Sequence, residues 1–235
     1  IAIPKVSGGA TAYWLAEGEE VPASAQTFGN VLLNPKRLAA DTIYGKQLLA
    51  QSSIDVEAFV REDLMLKLAI AKDLAAINGS GVDGQPLGIF NTTGVNTVTF
   101  GGAPTFAKMV EFQTAVASDN ADSGSMAYIT SNPVAGKLKT TSKDAGSGQF
   151  LWTGRLDQGE CDGYTGRTTQ QVPDNKVLYG AFGNAISADW DGMDITVDPY
   201  SRKKTNEVEI TLHLMTDFAL RHAESFCVST DAGNQ

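Results

Sequence analysis

IDVEAFVREDLMLKLAIAKDLAAINGSGVDGQPLGIFN, residues 54 to 91, carries the strongest local signal in the chain. From Ile54 to Ile77 there is neither Gly nor Pro. Val56, Val60, Leu64, Leu68, Ala71 and Ala75 recur at the spacing that lines one side of a helix. Ser52 followed by Asp55 supplies a capping-box start. Glu57–Arg61 and Asp63–Lys67 each place an acid one turn before a base, the favoured order on an exposed face. Asn78-Gly79 ends the run as a C-cap. Roughly 24 residues at ~1.5 Å each make a rod of ~36 Å, long for a globular domain, so this helix is read as the backbone of the fold.

The loop after the helix, Gly79-x-Gly81-x-x-Gly84 and then Pro86, matches the dinucleotide-binding fingerprint in its letters. The physics of that fingerprint needs a strand before it and a helix after it, so that a pyrophosphate meets a helix N-terminus. Here a helix comes first and Gln85-Pro86 follows. The glycines are therefore read as structural, making a tight turn with positive φ.

Upstream, Ile1 to Lys46 is extended in character and broken by Gly8-Gly9, Gly18, Pro22, Gly29 and Pro35. It reads as a long β-hairpin, residues 3 to 46, whose acidic, turn-rich tip lies between Trp14 and Phe28. An isolated two-stranded ribbon is marginal in water, so the hairpin needs a surface to lie on, on its own domain or on a neighbouring subunit.

Downstream, Thr105 caps a second helix over Phe106 to Ser118, with Phe106, Met109, Val110 and Val116 on one side. Met126 to Thr130 reads as a buried strand, and Asn132-Pro133 as the N-cap and first position of a short helix to Thr141. Val177–Gly180, Ala185–Asp189 and Ile195–Val197 read as short strands separated by Gly and Asp turns. Val208, Ile210, Leu212 and Leu214 alternate with Glu207, Glu209, Thr211 and His213, a long half-buried strand. Ser229 to Gln235 is a polar tail, expected to be loose. Helices and strands mix without βαβ alternation, which gives an α+β class with antiparallel sheet predominating.

The chain has 235 residues, 42% hydrophobic and 19% charged, enough for a substantial core. No apolar run is long enough to span a membrane. A net charge of −9 is wrong for wrapping phosphates. Two His and two Cys are too few for a zinc cluster, and Cys161 and Cys227 are expected as reduced, half-buried thiols. Asp189-x-Asp191-Gly192-x-Asp194 lacks the ligands of a calcium loop and reads as a β-turn. His213 and His222 have no nucleophile placed beside them in sequence, and there is no G-x-S-x-G elbow. Glu19-Glu20 is a carboxylate pair on a solvated tip, where burial cannot raise a pKa. Trp14, Trp152 and Trp190 are too scattered for a stacking platform. The chain is read as a non-enzyme with no cofactor or metal.

The order and spacing of four stretches resemble the major capsid proteins of tailed phages, of phage or prophage origin, with the Hong Kong 97-like fold. They are AAINGSGVDGQPLGIFN (75–91), YITSNPVAGKLKTTSKDAGSGQFLW (128–152), GECDGYTGRTTQQVPDN (159–175) and VLYGAFGNAISADWDGMDITVDPY (177–200). The third matches loosely, since Gly166-Arg167 stands where the family usually has Pro-Val. The resemblance implies an extended β-hairpin loop over 1–46, and a peripheral domain over 47–102 plus 195–228 containing the long spine helix. It implies an axial domain over 103–194. Trp14, Glu19, Glu20 and Pro22 become the expected inter-subunit contacts, and Gly79, Gly81, Gly84 and Pro86 the structural turn. Ile1 would begin after the family's N-terminal arm.

The implied function is self-assembly into pentamers and hexamers of an icosahedral shell that encloses DNA without sequence-specific binding. A scaffold segment, a portal and a maturation protease are the further partners implied, and the place is the virion capsid, with the host cytoplasm before assembly. Some members crosslink through a Lys on the extended loop; with no Lys between Lys5 and Lys36, no such isopeptide is expected here. The rival readings are an encapsulin-type compartment holding cargo, a nucleotide-binding enzyme using Gly79–Gly84, and a monomeric binding module.

Overall fold

A computed structural model describes residues 1–51, 55–144, 146 and 148–232. Strand β1 (Ala2–Gly8) pairs antiparallel with β2 (Thr27–Leu32), Val6 facing Phe28 and Ala2 facing Leu32. These two strands form a separate two-stranded ribbon. β3 (Lys36–Gly45) does not belong to it, contrary to the hairpin expected over 3–46: it runs alongside a strand some 170 residues later in the chain. Its alternating pattern is equally good for either partner, and local sequence cannot choose between them.

A short helix α1 (Lys46–Gln51) leads to α2 (Val56–Asn78). Ser52, read as part of the helix cap, lies outside the described residues; Asp55 is the N-cap, its carboxylate accepting the Ala58 N–H at 3.1 Å. Glu57 and Arg61 form the expected ion pair. Leu64 and Leu68 are buried against Tyr44, Val208, Ile210 and Leu212. The helix thus covers one face of a sheet that also contains β3.

The rest of the chain runs β4 (Asn96–Thr97), α3 (Phe106–Ser118), β5 (Met126–Thr130), α4 (Asn132–Thr140), β6 (Thr153–Gly154), β7 (Gln158–Cys161), β8 (Tyr164–Thr168), β9 (Val177–Ala181), β10 (Ala185–Asp198), β11 (Glu207–Leu220) and β12 (Phe226–Ser229). β10, β11 and β3 make a three-stranded antiparallel sheet, and the order β4-β12-β9-β5-β8-β7-β6 makes a seven-stranded mixed one. In α3 the Thr105 hydroxyl accepts the Lys108 N–H, and Met109, Phe112 and Val116 are the buried side chains. They pack with Val134 and Leu138 of α4 and with Tyr128, Trp152, Cys161, Val177, Tyr179 and Cys227. Both cysteines are buried outright, not half-buried. A third cluster, Ile89, Leu178, Leu220, Phe226 and Val228, joins the two sheets.

Three further expectations change. Ser131, not Asn132, is the residue preceding α4, and Asn132 instead donates its side-chain amide to Gln170. Ala185–Asp189 and Ile195–Val197 are one strand: Asp191 (φ 57°) and Gly192 (φ 73°) form a bulge between Trp190 and Met193, so the chain continues in the same direction where a turn was read. Ser229 and Ala232 are buried, and Asp231 accepts the N–H groups of Phe100 (3.0 Å) and Gly101 (2.9 Å), so the tail to 232 is held. β4 and β12, which fall within the peripheral domain that the resemblance implies, pair into the seven-stranded sheet, and β10 is continuous from Ala185 to Asp198.

Candidate assembly surfaces

The β1–β2 ribbon projects as an arm. Strand alternation puts Ile3 and Val31 on one face, with Val31 buried, and Pro4, Val6, Phe28 and Leu32 on the other. That second face is apolar and open, with Phe28 68% exposed. Beyond the paired strands the limbs meet through the Thr11 N–H and the Ser24 hydroxyl, at 3.2 Å. The tip carries Trp14, wholly exposed, with exposed Glu19, Glu20 and Pro22 nearby. Glu19 spends its carboxylate locally, accepting the Ala16 N–H at 3.2 Å.

The root of the arm is fixed. The Ile1 ammonium donates to Leu33 O at 2.8 Å, and the Arg221 guanidinium donates to Pro4 O. Asp217 is nearly buried on β11. It accepts the Asn34 N–H at 2.9 Å and faces the Lys36 ammonium at 3.0 Å.

Helix α2 offers a second surface. Phe59, Leu66 and Ile70 fall within one stripe on the side opposite Leu64 and Leu68, and Leu74 lies between the two sides. Phe59 is 67% and Leu66 56% exposed. A helix apolar on two opposite faces has one face too many for its own core. The sequence reading took only the inner stripe; the outer one was visible at the same spacing.

Gly79, Gly81, Gly84 and Pro86 make a closed turn at the end of α2. The Gly81 N–H donates to Pro86 O at 3.1 Å, and the Gly88 N–H to Gly79 O at 2.9 Å. Gly81 (φ 75°) and Gly84 (φ 78°) have the expected positive φ, but Gly79 has φ −60°. Gly79 is required for closeness instead: a Cβ there would stand 2.3 Å from Pro86 O and 2.4 Å from Ala75 O. The turn follows the carbonyl end of α2, where the helix dipole repels phosphate. That geometry is the reverse of a nucleotide cradle, and the enzyme reading of the loop falls.

Beside the turn lies a cavity of about 400 Å³ between α2, the start of β3 and the β10–β11 pair. Leu38, Leu74, Pro86 and Phe218 line it, with Arg37 and Lys72 among its cations. The Lys72 ammonium contacts both Asp189 oxygens at 2.7 Å and holds that carboxyl below the usual carboxylate range. Among the described residues no group of three or more His, Cys, Asp or Glu is placed to hold a metal ion, and no helix is long and apolar enough to cross a membrane.

Apolar groups are left outside on the arm and along α2, while the ring–ring contacts of the described residues lie in or against the core. The model described as the phage capsid family matches residues 1–231, and the chain belongs to that family. A major capsid protein of Halomonas phage phiHAP-1 is 28% identical over 229 residues, covering 97% of this chain and 37% of the relative. One of Klebsiella oxytoca phage phiKO2 is 26% identical over 89 residues, 38% of this chain and 21% of the relative. The chain thus spans little more than a third of the first of these curated relatives, and less of the second. The fold is that of phage capsid structures: the capsid of an empty GTA particle computed with C5 symmetry superposes with a TM-score of 0.79 at 20% identity, over 99% of this chain and 84% of the other. A chain of Microbacterium phage Oxtober96 gives 0.78 at 15%, over 98% and 86%.

Proposed function

We propose that this chain is the shell-forming part of a major capsid protein, assembling into pentamers and hexamers of a closed particle that encloses DNA. The observation that carries the reading is the amount and kind of surface left open. The accessible area is 13568 Å² for 24.9 kDa, about a third above the ~10,200 Å² of a compact monomer of that mass. Much of what is open is apolar and lies on the arm and the outer stripe of α2. Exposed apolar patches of this extent mark interaction sites.

In this reading the arm, residues 1–33, reaches a neighbouring copy, with Trp14, Glu19, Glu20 and Pro22 as its leading contacts. The unit of α2 and the three-stranded sheet is the peripheral domain, and the seven-stranded sheet with α3 and α4 is the axial domain that meets its copies at capsomer centres. Many modest contacts, repeated by symmetry, make a stable closed shell. Family membership supports a scaffold segment, a portal and a maturation protease as further partners, and the virion as the final location after assembly in the host cytoplasm.

Negative-stain microscopy of the protein after expression tests this. Hollow polyhedra, tubes or capsomer rings are expected, with nuclease-protected DNA inside particles from infected or induced cells. A monodisperse monomer at assembly concentrations, or particles filled with protein cargo, contradicts it.

A further inference from the structure

Three features of the arm and its root belong together. Trp14 stands fully in solvent at the arm tip, while Trp152 is buried in the core. A large aromatic held out on a projection is the residue type that anchors interfaces. The tip around it is purely acidic: Glu17, Glu19 and Glu20 are present, and no Lys or Arg occurs between Lys5 and Lys36. At the arm's own root is a cavity of about 400 Å³ with apolar walls of Leu38, Leu74, Pro86 and Phe218. Its rim carries Arg37, which forms no ion pair among the described residues.

We propose that Trp14 of one copy seats in this arm-root cavity of the next copy, with the acidic tip against Arg37. The proposal rests on the shell-subunit reading and says where the arm ends. Size fits: the cavity lies within the range that accepts a single aromatic group and its neighbours. Charge fits: Lys36, Arg37 and Lys72 line the cavity with one carboxylate, Asp83; Lys36 and Lys72 are paired with Asp217 and Asp189, which leaves Arg37 as the cation for the acidic tip. Reach fits: Ala2 to Trp14 spans at most ~40 Å at ~3.3 Å per residue, and a body of this size is roughly 40–45 Å across. An arm about one molecular width long carries its tip to the equivalent root on the adjacent copy. The contact is therefore head-to-tail, the type that closes into rings.

The test uses assembled particles. Hydrogen exchange of wild-type particles against unassembled subunits is expected to show slowed exchange in 9–16 and 71–76 together. Separately, the pair Trp14→Cys and Leu74→Cys in one chain is expected to give disulfide-linked dimers up to pentamers and hexamers on non-reducing gels; the natural thiols, Cys161 and Cys227, are buried. The control pair Trp14→Cys and Lys203→Cys gives none. Trp14→Ala raises the concentration needed for assembly about tenfold or more. Particles in which 71–76 exchanges as fast as in free subunits, or in which the Lys203 pair links and the Leu74 pair does not, overturn the seating while leaving the shell reading intact. A wild-type protein that forms no particles defeats the shell reading itself, and the seating with it.

Discussion

The Asp217 carboxylate accepts the backbone N–H of Asn34 at 2.9 Å, although 183 residues separate the two. The same carboxylate faces Lys36, so one nearly buried side chain of β11 fixes the place where the arm leaves the body. Asp217→Ala leaves an amide and a partly buried ammonium without their acceptor, at a cost of about 1–3 kcal/mol. Urea denaturation of the unassembled subunit reads that loss, and hydrogen exchange at Asn34 should rise well above that at Val31, which stays paired to Ile3.

Gly79 and Gly84 sit in one turn but for different reasons, and alanine separates them. Gly84→Ala meets open space and carries only the strain of a φ of 78°, on the order of 1–2 kcal/mol. Gly79→Ala drives a methyl into two backbone carbonyls that cannot move aside, so it costs more, about 3 kcal/mol. Thermal unfolding of the two variants should rank them in that order; equal effects would mean the turn is not closed as described.

The outer stripe of α2 makes a cleaner separation of folding from assembly. Phe59→Ser and Leu66→Ser alter exposed side chains, so subunit stability should change by no more than about 0.5 kcal/mol. Particle yield by light scattering should fall sharply for both. A loss of thermal stability matching the loss of assembly would show that the stripe belongs to the subunit's own core.

Burial pushes the Cys161 and Cys227 thiols up to about 12 from their ordinary 9.0. The folded chain therefore keeps both protons at a pH where the unfolded chain has lost them. The stabilisation is complete below pH 9 and is lost as pH rises from about 9 towards 12. A titration of the unfolding midpoint should decline over that window, and a thiol reagent at pH 8 should label neither cysteine until denaturant is added.

What could be read from sequence was local periodicity. α2, α3, β5 and β11 stand where the apolar spacing puts them, because each buries one face against a continuous core. The β3 assignment went to the wrong partner because alternation specifies a face and not a neighbour. The Asp191-Gly192 bulge was taken for a turn because positive-φ residues serve both. The arm tip was legible as acidic and exposed, whereas the Asp217–Asn34 contact and the cavity lined by Arg37 and Phe218 depend on contacts across most of the chain length, which no window of sequence contains.

The position of β12 has a bearing on quality control in the cell. Phe226–Ser229 lies between β4 and β9, so the larger sheet is missing an interior member until synthesis has passed residue 229. A ribosome that stalls earlier releases a chain with two raw strand edges and an unfilled centre, a substrate for proteases and chaperones. Because that same segment packs against Ile89, Leu178 and Leu220, its absence also unglues the two lobes from each other. In the shell proposed above, a chain cut short before β12 is expected to be excluded, because it lacks the strand that completes the larger sheet.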